Sequence, residues 1–121
     1  MIPPLPPAHL VGIGGAVGAV LRHLLAQRVD REAFPVGTLV VNVLGSFALG
    51  VVVGTSLDDR AVLLFGTGVC GSFTTYSSFS YETVRRWESG ERARAALNAV
   101  GNLALATLGL TLGVTLARTL S

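Results

Sequence analysis

Gly66-Thr67-Gly68-Val69-Cys70-Gly71-Ser72-Phe73-Thr74-Thr75-Tyr76-Ser77-Ser78-Phe79-Ser80 sits in the middle of an apolar segment. It holds three glycines, seven serines and threonines and no charge. A helix that only anchors a chain in a bilayer has no use for such a composition. Glycine weakens a helix interior, and serine and threonine offer the backbone competing hydrogen bonds. Broken backbone at membrane depth persists only where it is buried in protein or lines a wet cavity. The stretch therefore reads as a discontinuous helix that builds a site, with the break at Gly71-Ser72-Phe73-Thr74. The first half-helix then ends in carbonyls that suit a small hard cation. The second begins with N–H groups and the positive end of a dipole, which suit an anion. Phe73, Tyr76 and Phe79 follow at three-residue spacing on one face, and aromatic ring edges carry partial positive charge. Each ring has packing alone as its competing explanation.

The surrounding sequence is that of a membrane protein. Half of the 121 residues are hydrophobic and 13% are charged, against roughly 25% charged in soluble domains. Mean hydropathy is +0.63. A span needs about 20 mostly apolar residues, and four segments fit: His9 to Gln27, Val36 to Thr55, Ala61 to Tyr81 and Ala95 to Ala117. Together they make one four-span all-α membrane domain, residues 1–121, with almost every charge in the short linkers. The start of the chain, Met1 to Pro7, lacks a positively charged stretch, so no cleavable signal peptide is expected. The basic balance comes from nine arginines and no lysine. In a membrane chain it speaks of topology and lipid-surface charge, not of nucleic acid. The single cysteine, Cys70, excludes an internal disulfide or a multi-cysteine metal site.

In the first span, Gly12, Gly14, Gly15 and Gly18 mimic a dinucleotide-binding loop. Without a preceding strand that reading fails, and small residues at three- and four-residue spacing instead permit close helix packing in lipid. Arg22, near the far end, either snorkels to the interface or plays a buried, anion-attracting part. The second span places Thr38, Asn42 and Ser46 on one helical face. Asn42 is either an interhelical hydrogen-bonding group or an amide donor lining a pathway. Glu82 closes the third span, as a solvated helix-end carboxylate or the guard of a vestibule, and Trp87 belongs to an interfacial belt. The fourth span carries Asn98 and Asn102, then Thr107, Thr111 and Thr115 as a possible hydroxyl track. No metal cluster, nucleophile arrangement or intramembrane acid is present, which argues against an enzyme and against a proton-coupled pump.

These residues resemble the Fluc (CrcB) family of fluoride channels. The likeness rests on Gly71-Ser72-Phe73-Thr74-Thr75-Tyr76-Ser77-Ser78-Phe79-Ser80, close to the family's Gly-x-x-Thr-Thr-Phe-Ser-Thr-Phe. Gly37-Thr38-Leu39-Val40-Val41-Asn42-Val43-Leu44-Gly45-Ser46-Phe47 and Gly18-Ala19-Val20-Leu21-Arg22 support it. The resemblance covers nearly the whole chain. It implies an antiparallel dimer in the cell membrane that exports fluoride and so lowers its cytoplasmic level. It also implies a structural sodium ion at the dimer interface, held by the backbone carbonyls of Gly71 and Thr74. The pore would be lined by Asn42, Thr75, Tyr76, Ser77, Phe79 and Thr111. Tyr76 departs from the family's phenylalanine, adding a donor or narrowing the path.

Arginine placement complicates a dual-topology homodimer. Arg28, Arg31, Arg85, Arg86, Arg92 and Arg94 fall on one side, and Arg60 and Arg118 on the other. By the positive-inside rule the chain prefers one orientation. Its partner is then an oppositely biased homologous subunit, with a homodimer as the alternative. The competing functions are a non-conducting or half-pore partner subunit and a small four-span multidrug exporter, which should carry a glutamate deep in its first span.

Overall fold

The computed structural model describes residues 4–30 and 36–121. Arg31 and Glu32 of the first linker, and Met1 to Pro3 of the start, lie outside the described residues. Those described form helices and no strand. Helix α1 (Pro7–Val29) begins with Pro7 in its first turn, where a missing N–H is harmless. Helix α2 (Gly37–Gly54) follows. The third expected crossing opens with Asp59–Ala61, capped by the Asp58 carboxylate on the Ala61 N–H at 2.8 Å. It continues as π-helical Val62–Cys70 and ends in one turn, Gly71–Phe73; residues 59–73 are here α3. After an interruption comes α4 (Tyr76–Glu88), and then α5 (Arg92–Leu120).

Helices α1, α2 and α5 are each long and apolar enough to cross a membrane. Their 23, 18 and 29 residues give roughly 35, 27 and 44 Å of rod at 1.5 Å per residue, against about 30 Å of hydrocarbon. The segment expected to be the third span is divided into two pieces, α3 and α4, and neither is among the helices long and apolar enough to cross. Exposed aliphatic side chains stud α1 and α5 in particular, including Ile13, Val17, Leu24, Leu97, Leu103 and Leu112. Such faces suit hydrocarbon rather than water.

Two close helix contacts set the frame. Helix α1 lies against α3, where a methyl group added at Gly14 would stand 2.2 Å from the Leu64 carbonyl oxygen, and one at Gly18 2.2 Å from that of Val69. Gly12 and Gly15 meet nothing within 4 Å, so two of the four first-span glycines perform the expected packing. Helix α2 lies as closely against α5: a Cβ at Gly50 would sit 2.3 Å from the Leu110 oxygen, and one at Gly113 2.2 Å from that of Phe47. Without a hydrophobic drive between helices in lipid, contacts of this kind supply the packing energy. Leu10 and Val41 are the largest fully buried side chains. The turn between α4 and α5 reverses through Gly90 at φ +84°, a backbone that suits glycine. There Arg92 stacks its guanidinium 4.8 Å from the Trp87 ring centre, a pair suited to the interfacial belt.

Candidate functional site: the break between α3 and α4

The break falls at Thr74 and Thr75, later than the expected Gly71-Ser72-Phe73-Thr74. Gly71 keeps helical angles (φ −62°, ψ −34°), and the turn persists through Phe73. The hydroxyls that were expected to disrupt the helix instead lie along it. Ser72 Oγ donates to the Gly68 carbonyl at 2.9 Å, and Thr74 Oγ1 to that of Cys70 at 3.0 Å. The backbone then turns extended, with ψ 162° at Thr74 and φ −147°, ψ 118° at Thr75. With the break there, Phe73 belongs to the first half-helix, apart from Tyr76 and Phe79, and packs beside Gly45.

A side chain on a neighbouring helix explains where the chain parts. Thr75 N–H donates to Asn42 Oδ1 at 2.7 Å, while Asn42 Nδ2 donates to the Thr75 carbonyl at 3.1 Å. The asparagine thus grips both backbone groups of one residue, as an adjacent β-strand would. Thr75 Oγ1 accepts from the Ser78 N–H at 3.1 Å and caps α4. In an uninterrupted α-helix the Thr75 and Ser78 N–H groups would serve the carbonyls of Gly71 and Thr74. Both donors are diverted to side chains, so those two carbonyls lose their helical partners.

Asn42 is the first rung of a polar ladder inside an apolar bundle. Its Nδ2 also donates to Asn102 Oδ1 at 3.2 Å. Asn102 Nδ2 reaches the Asn98 carbonyl at 3.1 Å and Asn98 Oδ1 at 3.2 Å. Asn98 Nδ2 donates to Thr83 Oγ1 at 2.9 Å, and that hydroxyl to the Phe79 carbonyl at 2.8 Å. Asn102 is 4% exposed and Thr75 7%. One turn before Asn42, Thr38 Oγ1 donates to Glu82 Oε2 at 2.6 Å, so Glu82 is tied to α2.

The break opens onto a mostly apolar groove of about 370 Å³. Asn42, Ser46, Thr75, Tyr76, Phe79 and Asn102 line it, with Cys70, Gly71 and Thr74 along the α3 side. Tyr76 and Phe79 stand with ring centres 6.0 Å apart and planes at 43°. Of the residues singled out in the sequence, the structure brings together Asn42, Thr75, Tyr76, Phe79, Gly71 and Thr74. Ser77 is exposed, its hydroxyl 3.3 Å from that of Thr75. Arg22 is half-buried in α1, outside the groove lining. Thr111 turns its hydroxyl back to the Thr107 carbonyl at 2.9 Å on an exposed face and lies outside the groove lining. Sequence reasoning gave Asn102 no role in the site, although its i, i+4 spacing from Asn98 was the available signal.

A chain-wide match accompanies this geometry. Residues 9–114 match the family described as CrcB-like protein, Camphor Resistance (CrcB). The chain belongs to the CrcB family. Among its relatives, the fluoride-specific ion channel FluC 2 of Haloarcula marismortui is 62% identical over 103 residues, 85% of this chain and 87% of the relative. FluC 1 of Halobacterium salinarum is 47% identical over 112 residues, 93% and 91% of the two chains. FluC 3 of Methanosarcina acetivorans is 40% identical over 104 residues, 85% and 94%. The CrcB match spans α1 through most of α5, so it includes the interruption, the asparagine ladder and the groove.

Proposed function

We propose that this CrcB chain is a fluoride-selective ion channel that lets fluoride leave the cytoplasm down its electrochemical gradient. The observation that carries the proposal is the break between α3 and α4 at Thr74 and Thr75, gripped by Asn42 beside a groove lined by aromatic and amide side chains. The names of its relatives support the ion. Fluoride is small and strongly hydrated, so a path must replace water's hydrogen bonds without holding the ion too tightly, and the groove lining carries no charged side chain. Asn42 Nδ2, the hydroxyls of Thr75 and Ser77, and the ring edges of Tyr76 and Phe79 offer such replacements.

The working unit in this proposal is an antiparallel dimer of four-crossing subunits in the cell membrane, with α3 and α4 together forming the third crossing. A structural sodium ion fits the same break. The Gly71 and Thr74 carbonyls have lost their helical donors to Asn42 and Thr75, and neutral oxygen donors suit a hard cation. Sodium there would fix the two half-helices of facing subunits in place.

Reconstitution in liposomes tests the function. A fluoride electrode should record release from fluoride-loaded vesicles, with chloride retained. Absence of release from well-assembled protein would reject the channel as a single-chain assembly. A second reading, that the chain is one half of a heterodimeric channel, draws on the arginine bias toward the α4–α5 side and on Tyr76. Compartment-sensitive tags at each terminus decide between them: signal from both compartments supports the homodimer, and signal from one supports the paired subunit. The exporter alternative lacks its required residue, because α1 contains no glutamate.

A further inference from the structure

Both N–H groups of the Asn42 amide are already engaged, one on the Thr75 carbonyl at 3.1 Å and the other on Asn102 Oδ1 at 3.2 Å. The orientation of the amide is not arbitrary. Thr75 N–H can only donate, so it must face Asn42 Oδ1, 2.7 Å away; the Thr75 carbonyl can only accept, so it must face Nδ2. At the other end, the Asn98 carbonyl can only accept, so Asn102 Nδ2 must face it. That leaves Asn102 Oδ1 toward Asn42. Neither amide can flip without setting donor against donor or acceptor against acceptor.

An anion that takes a hydrogen bond from Asn42 must therefore displace one of two acceptors. Displacing the Thr75 carbonyl undoes the two-pronged grip that keeps the third crossing apart. Displacing Asn102 Oδ1 leaves that grip whole. Asn42 and Asn102 line the same groove, so the N–H between them is within reach of an ion there. We infer that Asn102 is a positioning residue whose side-chain carbonyl competes with the permeating anion for the outer N–H of Asn42. This rests on the fluoride reading above. The competition keeps the donor in place when the groove is empty. It also limits how tightly an ion is held, because each capture opens a bond to Asn102, which is 4% exposed and whose side-chain carbonyl then gives up its amide donor. Weak capture favours conduction.

The test measures liposome efflux against internal fluoride for the wild type and Asn102→Leu. With the competitor gone, the outer N–H is free for the ion. The fluoride level giving half-maximal rate should fall at least threefold, and the maximal rate should fall at least threefold as release slows. A lower maximal rate with an unchanged half-maximal level indicates a merely structural role and overturns the inference. An unchanged rate does so as well. Wild-type protein that releases no fluoride defeats the channel reading instead, so the two failures are distinct. A second measurement covers an Asn102→Leu protein that does not assemble. In wild-type protein with carbon-13-labelled asparagine in bilayers, fluoride but not chloride should shift the Asn102 side-chain carbonyl signal. A signal indifferent to fluoride overturns the inference.

Discussion

Replacing Asn42 by alanine tests the central physical claim. Three hydrogen bonds disappear: Thr75 N–H to Oδ1, Nδ2 to the Thr75 carbonyl, and Nδ2 to Asn102 Oδ1. The substitution strands both backbone groups of Thr75, which is 7% exposed. A buried polar group without a partner costs about 1–3 kcal/mol. The adjoining groove admits water to one side, so the lower end applies to each, for a total of about 2 kcal/mol. At 1.4 kcal/mol per tenfold, the parted arrangement at Thr74 and Thr75 loses roughly 30-fold in population against rearranged ones. Fluoride efflux per assembled channel should fall by up to about that factor, and by about sixfold where the parted, conducting arrangement leads its rivals by about 1 kcal/mol in the wild type. The assay is initial efflux from liposomes, using only protein that elutes from size-exclusion chromatography as the wild type does. An Asn42→Ala channel that elutes normally and keeps more than half the wild-type rate refutes the reasoning. Either the clamp is then not what holds the break, or the break is not on the ion's path.

Further expectations concern other parts of the molecule. Gly18→Val forces side-chain atoms onto the Val69 carbonyl and should destabilise the α1–α3 contact by about 1–3 kcal/mol, read as a lower thermal midpoint in detergent. Gly12→Ala, which meets open space, should leave that midpoint unchanged, and equal damage from both would discredit the contact. Thr38→Val removes the 2.6 Å bond to Glu82; with the carboxylate still partly in contact with solvent, the loss should be about 1 kcal/mol, measured by the same melting experiment. Phe79→Ile removes one of the two groove rings and should slow fluoride efflux at least tenfold while the protein still assembles; an undiminished rate would show the ring to be packing alone. Tyr76 is 80% exposed, so Tyr76→Phe should leave the melting midpoint where it was.

Much of this architecture was legible in composition. Long apolar runs separated by short charged linkers admit helices in a bilayer, because every backbone group must be satisfied within its own segment. The cluster of hydroxyl residues and glycines between Gly66 and Ser80 marked an apolar segment that would not be a plain rod. The 3.6-residue period placed Thr38, Asn42 and Ser46 on one face, and the structure turns Thr38 to Glu82 and the other two to the groove. These are local properties, set by neighbours along the chain.

The position of the break was not local. Glycine content suggested Gly71, yet Gly71 stays helical, and Ser72 and Thr74 turn their hydroxyls onto carbonyls one turn back instead of opening the chain there. The chain parts at Thr75 because Asn42, 33 residues earlier in sequence, offers both an acceptor and a donor there. Which two of the four first-span glycines touch α3 was equally invisible, since Gly12, Gly14, Gly15 and Gly18 read alike until α3 is laid beside them. Periodicity sets which side chains share a face of one helix. Only the packing of α2 against α3, α4 and α5 decides which backbone N–H leaves its own helix for a side chain on another.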